Sequence, residues 1–114
     1  MHELGIADSI LNEVKGQARR RPGARIVAVG VKVGEMSGVN ADTLASCFKT
    51  LVHDTELDGT RLEIERTHHR HWCPSCEREF RVWNLDSRCA CGETQTRFVA
   101  GDELEISYLE VDGP

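Results

Sequence analysis

Two cysteine pairs, Cys73-Pro74-Ser75-Cys76 and Cys89-Ala90-Cys91, stand twelve residues apart in the second half of a 114-residue chain. Four thiolates in two short-range pairs are the donor set of a closed, tetrahedral metal site, and structural zinc is the natural occupant. The C-x-x-C turn lets two sulfurs converge. The C-x-C pair demands a sharp turn at Ala90, which Gly92 would relieve. His68, His69 and His71 lie just before the first pair. They read either as an exposed polar connection or as a source of one ligand replacing a cysteine. Iron in an S4 site is the competing occupant. A closed site does no chemistry of its own.

A second candidate site lies at the start of the chain, Met1-His2-Glu3. The Met1 amine, the His2 amide nitrogen and the His2 imidazole can grip one ion through a five-membered and a six-membered ring. Three nitrogens in one plane suit Ni(II) or Cu(II) better than tetrahedral Zn(II). Glu3 would add an oxygen or hold a water. Its plain role is a favourable carboxylate at a helix N-terminus.

These residues need a scaffold. Ala7, Ile10, Leu11, Val14 and Ala18 share one face of a helix over residues 4–20, which Pro22-Gly23 ends. Residues 25–33 read as a strand. Val27, Val29, Val31 and Val33 share one face, and the small Ile26, Ala28, Gly30, Lys32 face allows close packing. Asn40 N-caps a second helix carrying Leu44, Cys47, Phe48, Leu51 and Val52 on one stripe. On that stripe Cys47 reads as a buried, inert thiol. Residues 61–66 alternate as a strand with Leu62 and Ile64 inward. A last strand runs over 104–111, with its alternation slipping between Tyr108 and Leu109, as at a bulge. Between them, residues 68–100 hold too few aliphatic side chains for a core, so a metal must substitute for one. Phe80, Val82 and Trp83 would form a small hairpin over it.

The expected fold is α+β: two helices on a three-stranded mixed sheet, with an inserted zinc-knuckle subdomain. Residues 1–67 and 101–114 would form the α/β domain that carries the N-terminal site, and 68–100 the zinc-binding domain. Net charge is −5 and the pI is near 5.5, which argues against a nucleic-acid partner. No apolar run reaches membrane-spanning length. His2 and Glu3 open no secretory leader, so a cytoplasmic location is expected, where paired cysteines read as metal ligands.

The Met1-His2-Glu3 start on an amphipathic helix, the strand ending Lys32-Val33-Gly34 and the late cysteine knuckle resemble the HypA/HybF proteins, nickel metallochaperones of [NiFe]-hydrogenase maturation. The resemblance spans essentially the whole chain. It implies Ni(II) as cargo at His2, with Glu3 in support. It also implies structural Zn(II) on Cys73, Cys76, Cys89 and Cys91. Implied partners are a HypB-type GTPase and the hydrogenase large subunit. Neither nucleic acid nor membrane is expected as a partner, and the chain would be a monomer or weak homodimer rather than an enzyme. Two features depart from that family. Its second pair is usually C-x-x-C, and some members place a histidine after it, where this chain has Gly92-Glu93-Thr94-Gln95-Thr96. The competing reading is a zinc-ribbon adaptor without a nickel role.

Overall fold

The computed structural model describes residues 2–113. Helix α1 spans Glu3–Arg19 and buries Ala7, Ile10, Leu11 and Val14, the predicted stripe. Strand β1, Arg25–Gly34, runs into a single 3-10 turn, Glu35–Ser37. Helix α2, Ala41–Val52, starts where the Asn40 side chain accepts the Thr43 N–H at 2.9 Å, and buries Leu44, Phe48 and Val52. Cys47 is half-buried against this core. Strands β2 (Arg61–Thr67), β3 (Arg70–Cys73), β4 (Arg78–Arg81), β5 (Arg97–Ala100) and β6 (Leu104–Asp112) complete the chain.

The strands form two three-stranded sheets, β2-β1-β6 and β4-β3-β5. In the first, β1 pairs parallel with β2 and antiparallel with β6, so the sheet is mixed. The buried Thr60 hydroxyl donates to the Ile26 carbonyl at 3.0 Å and pins the entry of β2 against β1. The two helices share a core with Ile26, Val29, Val31 and Val33. Ile64, Ile106, Leu109 and Val111 pack against that core.

Two bulges correct the simple alternation. In β1, Ile26 pairs with Val111 and Ala28 with Glu110, leaving Val27 as the extra residue. The phase of β1 flips there, so Ile26 joins Val29, Val31 and Val33 in the core and Val27 does not. In β6 the slip lies at Ser107, between the Gly30–Tyr108 and Val31–Ile106 pairs, one step earlier than the pattern indicated. It lets Ile106 and Leu109, three residues apart, face the same side. The small face of β1 is used for close packing: the Tyr108 ring lies where a side chain on Gly30 would stand.

The Cα radius of gyration is 17.8 Å and the molecule measures 55 × 29 × 16 Å. A compact chain of this length would have a radius near 13 Å, so the second sheet extends from the end of the first. Among the described residues, no helix is long and apolar enough to cross a membrane.

Candidate metal centre

Each cysteine pair is carried by a turn. Cys73 is the last residue of β3, and its carbonyl accepts the Glu77 N–H at 2.8 Å, closing the turn that leads into β4. The Cys76 N–H points at the Cys73 sulfur, 3.4 Å away. In the second pair the Gly92 N–H reaches the Cys89 carbonyl at 2.8 Å, and Gly92 takes a φ of +98°. That is the sharp turn a C-x-C pair needs, with glycine where a side chain would be strained. Ser75 donates to Glu93 at 2.7 Å and ties the two turns together.

The four sulfurs lie within 4.8 Å of one another. Cys73 and Cys91 are 3.7 Å apart, and Cys76 and Cys89 are 3.8 Å apart. A tetrahedron of sulfurs with zinc–sulfur bonds of about 2.3 Å has edges of roughly 3.8 Å. The donor set and its spacing therefore suit Zn(II), and the C-x-C pair contributes both of its sulfurs to the cluster. Cys73 and Cys89 are buried, Cys76 half-buried and Cys91 exposed. The Cys91 amide draws the Cys89 thiol down to about 7, while burial pushes the Cys73 thiol up. The Arg78 guanidinium lies beside Cys76 and Cys89, which hold it more firmly charged. Four sulfurs leave no open coordination position, so the centre is built to hold structure.

At the other candidate site, His2 is exposed and extended (φ −98°, ψ 108°) as the N-cap of α1, with its side chain in no capping bond. Its carbonyl accepts the Ile6 N–H at 3.2 Å. Glu3 accepts the Asn40 N–H at 3.0 Å, the main reason its carboxyl sits below the usual range. That bond ties the start of α1 to the cap of α2. Met1 lies outside the described residues.

The family model for HypA, described as hydrogenase/urease nickel incorporation, metallochaperone, matches residues 1–111. The chain belongs to the HypA family. A hydrogenase maturation factor HypA from Geobacter metallireducens is 40% identical over 113 residues, covering 98% of this chain and 100% of the relative. One from Alkalilimnicola ehrlichii is 36% identical with the same coverage. The solution structure of the Ni metallochaperone HypA from Helicobacter pylori shares the fold at a TM-score of 0.65 and 23% identity, with each chain fully covered. A second HypA solution structure superposes at 0.68 with 24% identity, covering 96% of this chain and 95% of its own.

In this HypA-family chain the three histidines before the knuckle are not one exposed connection. His68 is exposed, His71 is half-buried and His69 is only 8% exposed. Among the described residues none of them joins the four-cysteine cluster. His68 and His69 serve the joint between the two sheets, together with a residue the sequence reading passed over, Glu35. One Glu35 oxygen accepts the His69 N–H at 2.8 Å and faces His68 Nδ1 at 3.1 Å. The other accepts from Arg81 at 3.1 Å. The His69 amide first, then the Arg81 guanidinium, hold Glu35 below the usual carboxylate range. Arg81 also stacks its guanidinium 3.8 Å over the Trp83 ring, which is exposed rather than folded over the cysteines. On the return strand, Glu103 takes the Thr67 hydroxyl at 2.5 Å and the Gly101 N–H at 3.0 Å. A glycine–glutamate pair after a strand gives no sequence pattern of its own. Helix α2 and strand β2 separate Glu35 from the insert in the chain, so its position carried no hint of the contact.

Proposed function

We propose that this chain carries Ni(II) at its N-terminus and delivers it during maturation of [NiFe]-hydrogenase. The observation that carries the reading is His2: an exposed, extended residue at the head of α1, with its imidazole side chain in no capping bond. With the Met1 amine and the His2 amide it would offer three nitrogens in one plane, the donor set a square-planar ion prefers. Few ligands at an exposed position favour exchange over storage. Residues 1–67 and 101–114 would form the nickel-binding domain and 68–100 the zinc-binding domain. Cys73, Cys76, Cys89 and Cys91 would hold Zn(II) and keep the second sheet ordered, since that segment has little apolar core of its own.

The chain would act in the cytoplasm by holding and passing an ion, with no bond-making step. A HypB-type GTPase and the hydrogenase large subunit are the proposed partners. The test is a nickel titration of untagged protein, of His2→Ala and of a form extended before Met1. Both variants should lose tight binding and keep one equivalent of zinc. Wild-type nickel affinity in either one refutes the N-terminal chelate.

A further inference from the structure

His69 and His71 make a second arrangement of nitrogens, outside the four-cysteine cluster. Their Nε2 atoms lie 3.1 Å apart. The ring centroids are 5.0 Å apart with planes inclined by 70°. Rings set end to end at that nitrogen separation would have more distant centroids, so the two rings converge at an angle. Phe98 flanks both, at 5.7 and 5.9 Å between centroids.

Hydrogen bonding fixes which nitrogen of His71 is bare. The Thr96 hydroxyl donates its single proton to the Ser87 carbonyl at 2.7 Å. Toward His71 Nδ1, 3.0 Å away, it can then only accept. Nδ1 therefore carries a proton, and Nε2 of the neutral ring presents a lone pair. That lone pair faces His69. It can be met in two ways: by a proton on His69 Nε2, or by a metal ion shared between both nitrogens. A histidine whose far N–H is held by an oxygen acceptor is the usual state of a metal-ligating imidazole. With metal–nitrogen bonds of about 2.0–2.1 Å, two nitrogens on one ion stand roughly 2.9–3.4 Å apart, between right-angle and tetrahedral geometry. The observed spacing falls inside that window.

We propose that His69 and His71 form a further metal site, a two-imidazole seat for a borderline divalent transition ion such as Ni(II) or Zn(II). Its remaining positions would be filled by water or by donors of another molecule. Imidazole suits both ions. Two protein ligands make the seat one of passage rather than storage. Thr96 is its positioning residue, acting through the His71 tautomer. The site stands apart from the N-terminal chelate and does not depend on it.

The test uses the untagged, zinc-loaded full chain carrying His2→Ala, so that the N-terminal chelate is removed. Ni(II) is added, with binding followed by calorimetry, imidazole resonances by NMR, and zinc release monitored throughout. One further equivalent of nickel should bind, and the His69 and His71 signals should move together. His69→Gln and His71→Gln should each abolish it, while His53→Gln and His68→Gln should leave it in place. Thr96→Val keeps both rings and should weaken binding about tenfold or more. If a glutamine variant loses zinc, Thr96→Val decides alone. No uptake by the His2→Ala protein, or uptake indifferent to both glutamine variants or to Thr96→Val, overturns the site and leaves the pair as a hydrogen bond. If His2→Ala fails to weaken tight nickel binding, the N-terminal reading falls, and the glutamine variants still report on this site separately.

Discussion

The joint between the two sheets is the place where one methyl group should do most damage. Gly34 has an ordinary extended conformation (φ −78°, ψ 152°), so alanine meets no backbone strain there. Its added Cβ would instead collide with the Gly101 carbonyl, and it would lie 2.8 Å from the Asp102 nitrogen. Those are backbone atoms and cannot rotate away. They belong to the segment that bonds back to the end of β1, through Gly34 N–H to the Glu103 carbonyl at 2.8 Å and Met36 N–H to the Gly101 carbonyl at 2.7 Å. Overpacking of this kind costs about 1–3 kcal/mol. Two stretched backbone bonds add about 1 kcal/mol each. The sum, about 3–5 kcal/mol, is a large share of the ~5–15 kcal/mol that holds a domain folded. At about 4 °C per kcal/mol for a chain of this size, Gly34→Ala should melt roughly 12–20 °C below wild type. The comparison is Gly16→Ala, inside α1 with nothing within 4 Å of the new Cβ. There alanine should stabilise by about 0.5–1 kcal/mol. Gly30→Ala should fall between them, because its obstacle is the half-exposed Tyr108 ring, which can swing out. Calorimetric melts of the three zinc-loaded variants test the ranking. A Gly34→Ala protein within about 0.5 kcal/mol of wild type would refute the close-approach reasoning, since harmless surface changes cost no more than that.

Three further outcomes are expected. Cys73→Ser should reduce zinc content and expose the amides of 68–100 to solvent exchange, while α1, α2 and the first sheet stay protected; unchanged zinc content by metal analysis would contradict this. Asn40→Ala removes the side-chain acceptor for Thr43 N–H and should cost about 1 kcal/mol in denaturant unfolding; no change would mean the cap contributes nothing. Glu35 and Glu103 are both held below their ordinary carboxyl value of 4.5, by the His69 amide and the Thr67 hydroxyl respectively. Depressed carboxyl values mean that their contribution to the joint is present above 4.5 and lost as pH falls through the lower folded values. The His69 amide signal should therefore titrate below 4.5, and the profile should flatten in Glu35→Gln, whose zinc centre meets the same acid. Identical profiles would exclude Glu35 as the acid-sensitive group.

Local chemistry was legible wherever one short stretch of chain carried the information. Apolar spacing along α1 and α2 fixed both helices, because burial of one face repeats with the helical period. Asn40 marked the start of α2 as a side chain able to cap it. The two cysteine pairs announced a four-sulfur cluster, since each pair needs only its own turn to converge. Tertiary structure decided the rest. Sequence spacing did not show the bulge at Val27 and put the one near Ser107 a step late, because both depend on how β1 and β6 are staggered. Nor could it separate His68, His69 and His71 into an exposed, a buried and a half-buried residue, because their partners Glu35, Thr96 and Phe98 lie far along the chain. A donor set held within a few residues can be read from order alone. A joint between two sheets exists only once distant residues have been brought together.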